Sequence, residues 1–261
     1  NIDKYILEIQ QDLAITYNEE QLNAIKDAIT KNFLIITGGP GTGKTTIVSS
    51  IIELYKRVHK LTYSSLMEDI VLLAPTGRAS KRLTEKSLFP ASTIHSFLKW
   101  NKETDKFAVN EFNRSKAKMV IIDEASMVDV PLFNSLLKGL KLDTRIIMVG
   151  DYNQLPSVGP GELLKDLIES EVLSVVNLKM LYRQGKDSNI ITLAHDINEG
   201  KINRDILVNS DDIEFIQCTG DIVEQTKKIA EKYKDYDYHN FQILVPMYKG
   251  VNGIDNLNIH L

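Results

Sequence analysis

The chain has 261 residues, 43% of them hydrophobic, and a formal net charge of −4. This length exceeds that of most single domains and predicts one large α/β domain with part of a second. The single cysteine, Cys218, excludes an internal disulfide framework, and no apolar run approaches the length that a membrane span or a signal peptide needs. We therefore expect no membrane association and a reducing, cytoplasmic setting.

Charge is unevenly distributed along the chain. The overall negative charge argues against a nucleic-acid partner, because Lys and Arg usually neutralise phosphates in such complexes. Residues 76–118, however, contain ten basic and only four acidic side chains. This basic segment could follow a phosphate backbone or form a solvated, charged face, and composition leaves both interpretations open.

Two helices are predicted before the first strand, over residues 3–14 and from Asn18 to about Thr30. Asn18 is a good N-cap residue, and Gln21 lies three positions later, where a capping box uses its side chain to accept the backbone N–H of the cap. A glutamine amide also offers one donor and one acceptor to the edge of an adenine. Spacing alone leaves both roles open for Gln21.

Residues 33–46 read FLIITGGPGTGKTT, which is a complete phosphate-loop pattern. Residues 33–36 predict a buried strand, and apolar residues at helical spacing after the loop predict a helix whose N-terminus lies under the phosphates. The alternative, a flexible glycine turn, does not account for this context. In this pattern Lys44 reaches the β- and γ-phosphates and the Thr45 hydroxyl ligates Mg²⁺. We expect a nucleoside triphosphate to contact Gly39, Pro40, Gly41, Thr42, Gly43, Lys44, Thr45 and Thr46.

Three further apolar runs, at residues 70–74, 119–122 and 145–149, predict strands that each end in a polar or glycine-bearing loop. Alternation of these strands with helices predicts an α/β fold with a doubly wound, mostly parallel sheet. Ligands of such sheets gather at the carboxyl ends of the strands. The loops after the four strands are therefore expected on one rim.

Two of these loops carry candidate catalytic residues. Asp123 and Glu124 follow the third strand, where Asp123 would complete the Mg²⁺ shell and Glu124 would orient and deprotonate the water that attacks the γ-phosphate. Solvation of a strand end is the structural alternative. Gln154, in the loop GDYNQLPSVGPG, is a candidate sensor of the γ-phosphate, against the alternative of an ordinary loop amide.

A protruding hairpin is predicted between the second and third strands, because residues 97–100 and 107–112 bear aromatic side chains on either side of a polar turn. After residue 180 the strand and helix pattern begins again and is unfinished at Leu261, so we expect a fragment. The predicted domains are residues 1–179, with a small hairpin insertion near 97–114, and residues 180–261. The second is predicted to contain helices at 188–199 and 221–234 and strands at 213–217 and 241–245.

Six segments, taken in order, resemble the motif set of superfamily-1 DNA helicases: TGGPGTGKTT, APTGRASKRL, TIH, IIDEASMVD, VGDYNQLPSVGPG and YRQ. The RecD-like branch, which includes the exodeoxyribonuclease V alpha subunit, is the most similar. The resemblance implies two RecA-like domains, the second incomplete here, with ATP in the cleft and single-stranded DNA across the top. It also implies 5′-to-3′ movement, a role in recombination and repair, and partner subunits of an exodeoxyribonuclease V-type complex.

The resemblance assigns roles to individual residues. It implies that Gln21 lies at the adenine, that Asp123 and Glu124 are metal ligand and base, and that Gln154 and Arg183 meet the γ-phosphate. The hairpin occupies the position of a strand-separating pin. Because two family motifs are absent from this chain, complete catalysis by the chain alone is not expected. The residues that match DNA-contacting stretches are Pro75, Thr76, Gly77, Arg78, Thr93 and His95.

Two other functions remain to be weighed. An RNA helicase of the nonsense-mediated-decay type looks similar around the phosphate loop and the acidic pair, but YRQ and the ASMVD continuation favour the RecD-like reading. A non-motor nucleotide switch would use ATP only to close an interface. Glu124 argues against it, because a pure switch needs no base to activate water.

Overall fold

The computed structural model describes residues 1–178, 188–201, 208–235 and 240–261. The chain divides into two compact units, Asn1–Gln184 and Gly185–Leu261. Within the described segments, none of the helices has both the length and the apolar composition that crossing a bilayer requires.

The first unit contains the strands β1 (Phe33–Gly38), β2 (Ile70–Ala74), β3 (Ala91–Thr93), β4 (Trp100–Asn101), β5 (Lys106–Phe107), β6 (Met119–Ile122), β7 (Arg145–Gly150) and β8 (Ser174–Leu178). Six of them form a parallel sheet in the order β3-β2-β6-β7-β1-β8. A separate antiparallel pair, β4 with β5, forms in the segment predicted as a hairpin, with strands of only two residues each.

Helices cover both faces of this sheet. Along β1, Leu34 and Ile36 pack into the core under the first five helices, whereas Ile35 packs into the core under the next three. Strands buried on both faces need continuous runs of branched apolar residues, as β1 and β6 have. The prediction of a doubly wound parallel sheet is confirmed. The helices are α1 (Ile2–Asp12), α2 (Glu19–Thr30), α3 (Lys44–His59), α4 (Tyr63–Asp69), α5 (Gly77–Ser87), α6 (Ile94–Phe97), α7 (Val130–Gly139) and α8 (Leu163–Glu169).

The sheet contains two strands that the sequence did not predict, β3 and β8. Ala91–Thr93 is short and half-buried, and Ser174–Leu178 alternates between partly exposed and exposed residues before the buried Leu178. Neither segment is a continuous apolar run. They become strands because β2 and β1 each offer an unpaired backbone edge to a parallel neighbour.

The second unit contains helices α9 (Asn189–Asn198), α10 (Ile222–Lys232) and α11 (Ile254–His260). The two helices predicted here are confirmed, but the strands predicted at 213–217 and 241–245 are wrong. The described part of this unit contains only an isolated bridge between Ser210 and Ile213, so these segments have no ladder of hydrogen bonds. A β pattern becomes a strand only when a partner satisfies its backbone groups.

Candidate nucleotide-binding site

The phosphate loop connects the end of β1 to the start of α3. Gly41 and Gly43 have φ angles of +76° and +85°, which side chains other than that of glycine rarely tolerate. Within the part of the chain that the structure describes, no acceptor is bonded to the backbone N–H groups of Gly41, Thr42 and Gly43. These donors lie at a helix N-terminus, where the peptide dipoles favour an anion. The loop therefore has the donor set of a phosphate site.

The residues predicted to contact the nucleotide range from buried to exposed. Pro40, Gly41 and Thr46 are exposed, whereas Thr42 is buried and its hydroxyl donates to the Gly39 carbonyl oxygen at 2.9 Å. Thr45 is half-buried at the second position of α3. The predicted ligand residues thus lie in one loop and one helical turn.

Lys44 lies against the loop that it follows. Its Nζ donates to the carbonyl oxygens of Gly38 at 2.6 Å and Gly39 at 2.8 Å. Burial lowers the pKa of the Lys44 ammonium, and the negative charges of three carboxylates oppose that shift. A charge effect of this kind requires the acids to lie near the amine. The structure thus gathers three carboxylates around Lys44: Asp123, Glu124 and Asp151.

Strand order explains this gathering. Strand β7 lies between β1 and β6, and its Gly150 is in register with Thr37 of β1. The loops after all three strands therefore leave the same edge of the sheet. Burial raises the pKa of Asp123, while the Glu124 backbone N–H and the positive charges of Lys44 and Arg82 lower it.

Glu124 has a left-handed backbone with a φ of 52° and begins a 3₁₀ turn, Ala125–Met127. A non-glycine residue in this conformation costs on the order of 1 kcal/mol and is found where surrounding structure enforces it. Strand β6 and the 3₁₀ turn supply that structure on either side. The backbone thus leaves the extended conformation of β6 at Glu124 and turns into the loop.

Sequence reasoning missed Asp151, which follows β7 as Asp123 follows β6. Asp151 is buried, and its carboxylate accepts the backbone N–H of Asn153 at 3.0 Å. The signal was present, since an acidic residue directly follows an apolar strand. Gln154, which was predicted to sense the γ-phosphate, is exposed, and its backbone N–H donates to the Asp151 carbonyl oxygen.

A second missed contact supports the helix behind the loop. The buried Tyr17 hydroxyl lies within hydrogen-bond distance of the Ser50 hydroxyl, which donates to the Thr46 carbonyl oxygen at 2.8 Å. Because Ser50 gives its only proton to Thr46, Tyr17 is the donor to Ser50. Burial raises the pKa of Tyr17 above its ordinary value. These two hydrogen bonds connect the segment before α2 to the first turn of α3.

The residues predicted to contact DNA lie at the ends of β2 and β3. These strands are paired, with Ala74 opposite Thr93, so the segments that follow them leave the sheet side by side. Pro75 and Thr93 are half-buried; Gly77 is exposed, as are the side chains of Thr76, Arg78 and His95.

Three of these residues also have local contacts. Thr76 caps α5 and Thr93 caps α6 through their hydroxyl groups. The His95 ring packs 6.2 Å from that of Trp100 and 5.9 Å from that of Phe107, at the base of the β4-β5 hairpin. Arg183 lies outside the described residues.

The sheet is parallel, with a glycine-rich phosphate loop after β1 and acidic residues after β7 and β6, the two strands that follow β1 on one side of the sheet. These features define a P-loop nucleotide-binding domain. The AAA domain family matches residues 21–160, which is more than half of the chain. The chain belongs to this family, and its resemblance to RecD-like superfamily-1 helicases is confirmed by the relatives described next.

Two curated relatives and one solved structure illustrate the similarity. The ATP-dependent RecD2 DNA helicase of Deinococcus radiodurans is 31% identical over 246 residues, which cover 94% of this chain and 32% of that protein. The RecBCD enzyme subunit RecD of Mycolicibacterium smegmatis is 33% identical over 231 residues, 81% of this chain and 41% of that protein. The chain thus spans less than half of either relative.

The Pif1 helicase of Candida albicans superposes with a TM-score of 0.57 at 21% identity, over 87% of this chain and 56% of that one. This likeness shows the fold, and it agrees with the RecA-like architecture that the resemblance implied.

Proposed function

We propose that this chain is the ATP-binding part of a DNA helicase motor that couples ATP hydrolysis to movement along single-stranded DNA. The observation that carries the proposal is the parallel register of β1, β7 and β6, which places the phosphate loop with Lys44 at the same edge of the sheet as Asp123, Glu124 and Asp151. Relatives named as DNA helicase and as RecD subunits support the choice of motor and of substrate.

In this proposal the loop N–H groups and Lys44 bind the triphosphate. The Thr45 hydroxyl and the Asp123 carboxylate hold Mg²⁺, since hard oxygen donors of this kind suit that ion. When bound, Mg²⁺ neutralises charge on the phosphates. Glu124 accepts the proton of the attacking water, which is the task of a carboxylate held at the rim rather than in the core.

Other roles are proposed from the resemblance. Gln21 reads the adenine, and Gln154 and Arg183 meet the γ-phosphate. Residues 1–179 and 180–261 belong to two RecA-like domains, and residues 97–114 provide the pin. Movement is 5′ to 3′, in recombination or repair, and an exodeoxyribonuclease V-type complex would supply partner subunits.

The DNA strand is proposed to cross the ends of β2 and β3. Arg78 would neutralise a phosphate, while Pro75, Thr76, Gly77, Thr93 and His95 would contact sugar, phosphate or base. Exposure of the Arg78 and His95 side chains on neighbouring segments supports this interface.

The test uses the full-length protein, with nucleotide binding and ATP turnover measured in the presence of single-stranded DNA or RNA. We expect Lys44→Ala to abolish tight ATP binding, because the triphosphate loses its ammonium partner. Glu124→Gln should retain binding but lose turnover, because the amide cannot accept the proton. Lys56→Ala is the matched control: Lys56 is on the same helix but pairs with Glu53.

Separate losses in the two variants, with stimulation by DNA greater than by RNA, would support the proposal. Normal turnover in Lys44→Ala would refute the nucleotide site. Stronger stimulation by RNA would favour the RNA helicase alternative, and binding without turnover in the wild type would favour the nucleotide switch.

A further inference from the structure

The loop that carries Gln154 is anchored at its start to the end of β7. The Asp151 carboxylate accepts the backbone N–H of Asn153 at 3.0 Å, and the Asp151 carbonyl oxygen accepts that of Gln154 at 3.1 Å. The backbone groups of the next four residues, 155–158, make no hydrogen bond to any other residue that the structure describes. A loop with so few internal bonds needs a second anchor to hold one conformation.

The second anchor is the start of α7. The Val130 N–H donates to the Pro160 carbonyl oxygen at 3.2 Å. The Ser157 hydroxyl lies 3.0 Å from the Gly159 carbonyl oxygen and 3.2 Å from that of Gly161, so it closes this end of the loop into a compact turn. The turn of residues 157–161 is therefore folded onto the N-terminus of α7.

Gly159 has no space for a side chain at this contact. A Cβ added to it would overlap the Asp129 carboxylate and lie 2.8 Å from the Asp129 Cβ. The φ of Gly159 lies outside the left-handed region, so space rather than backbone conformation requires glycine here. Asp129 is also held in place: as the N-cap of α7, its Oδ1 accepts the Leu132 N–H at 2.8 Å and its carbonyl oxygen accepts the Phe133 N–H at 3.1 Å.

A compact segment connects Asp129 to Glu124, five residues earlier. The Met127 N–H donates to the Glu124 carbonyl oxygen at 3.1 Å, and the Val128 N–H donates to that of Ala125, also at 3.1 Å. Ala125 and Val128 are buried in the core. Because hydrogen bonds and packing fix this segment, the place of the loop on Asp129 also sets its place relative to Glu124.

We propose that the close contact between Asp129 and Gly159 sets the position of the Gln154 loop relative to Glu124, with Gly159 as a positioning residue. The inference rests on the proposed ATP hydrolysis and on the role proposed there for Gln154. A methyl group on Gly159 pushes the loop away from α7, because Asp129 is held by its cap. Turnover then slows more than ATP binding weakens, since binding depends on the phosphate loop.

The first test measures ATP turnover and ATP affinity of Gly159→Ala in the full-length protein with single-stranded DNA. We expect kcat to fall at least about tenfold and ATP affinity to change less than about twofold, because a misplacement of about 1 Å can cost about a hundredfold in rate. Both are measured below the melting temperature of every variant. An unchanged kcat, or an affinity that falls as much as the rate, would overturn the inference.

Gly220→Ala is the matched control. A Cβ added to Gly220 meets nothing within 4 Å, and the φ of this residue is also outside the left-handed region. The same substitution should therefore leave kcat unchanged where there is space for the methyl group. An equal fall of kcat in both variants would contradict a role that is specific to the contact with Asp129.

A second test exchanges the glycine across the contact. Asp129→Gly removes the carboxylate and leaves a residue that caps helices nearly as well. Alone it should lower kcat less than Gly159→Ala does, because a gap pushes nothing out of place. In the double variant the new methyl group has space, and kcat should be at least about threefold higher than in Gly159→Ala. A double variant that is no faster than Gly159→Ala would refute the proposed contact.

The third test asks whether Gly159 acts through Gln154. In the Gln154→Ala background, Gly159→Ala should lower kcat by less than about twofold, since residues that act through one another are not additive. A further tenfold loss in that background would overturn the inference while leaving the proposed nucleotide site intact. A wild type without ATP turnover would refute the proposed function and this inference with it.

Discussion

The side-chain amide of Gln21 donates a hydrogen bond to the Thr42 carbonyl oxygen at 3.2 Å. The oxygen of the same amide accepts the Asn18 backbone N–H at 3.1 Å, which completes the capping box of α2. One buried side chain therefore joins the start of a helix to the phosphate loop. The capping role is confirmed, and the contact with adenine remains a prediction.

Paired variants separate the two roles of Gln21. Asn18→Ala removes only the acceptor of the Gln21 backbone N–H and should lower the free energy of unfolding by about 1 kcal/mol, with little effect on ATP affinity. Gln21→Ala should cost similar stability and also weaken ATP binding about tenfold, or 1.4 kcal/mol. Chemical denaturation and nucleotide titration measure the two effects. Equal ATP affinity in both variants would limit Gln21 to the helix cap.

Asp123→Asn should stabilise the nucleotide-free protein while abolishing Mg²⁺-dependent turnover. Burial is the largest influence on this carboxylate and raises its pKa above the ordinary value of 3.8. A neutral amide of the same size avoids the cost of burying a charge, and a gain on the order of 1 kcal/mol is expected at neutral pH.

The stability that Asp123→Asn gains over the wild type should change with pH in a defined direction. Because the folded pKa of Asp123 is raised, the folded state binds the proton more tightly than the unfolded state, and wild-type stability falls as pH rises from the unfolded to the folded pKa. The Asn variant lacks this contribution. Its advantage should therefore vanish in acid, where the wild-type carboxyl is neutral in both states, and grow with rising pH. Denaturation curves with a chelator and without nucleotide measure it, and a constant difference at all pH values would contradict it.

The salt dependence of DNA binding should report the contact of Arg78. Affinity for single strands should fall with added salt with a slope of about −0.7 per neutralised phosphate, and Arg78→Ala should reduce the slope by about one contact. Lys141→Ala is the control, because this exposed lysine precedes β7 and lies at the amino edge of the sheet. Equal slopes for Arg78→Ala and the wild type would place Arg78 on a merely solvated face.

Local sequence patterns were enough to predict most of the candidate nucleotide-binding site. The phosphate loop, the strand at 70–74 and the strand before Asp123 were predicted correctly because glycine spacing and continuous apolar runs are properties of contiguous residues. The same reasoning failed for β3 and β8, and for the segments at 213–217 and 241–245. In each case the outcome depended on whether a partner strand was available, and a partner is distant in sequence.

Side-chain contacts between segments that are distant in the chain also could not be predicted from the sequence. The motif pattern by itself determined that Lys44 would serve a phosphate loop and that Asp123 and Glu124 would follow a buried strand. Only the tertiary structure decided that Asp151 joins them, because strand order places β7 between β1 and β6. It alone decided that Gly159 would lie against the Asp129 carboxylate, since such a contact depends on how chain segments pack and not on their spacing.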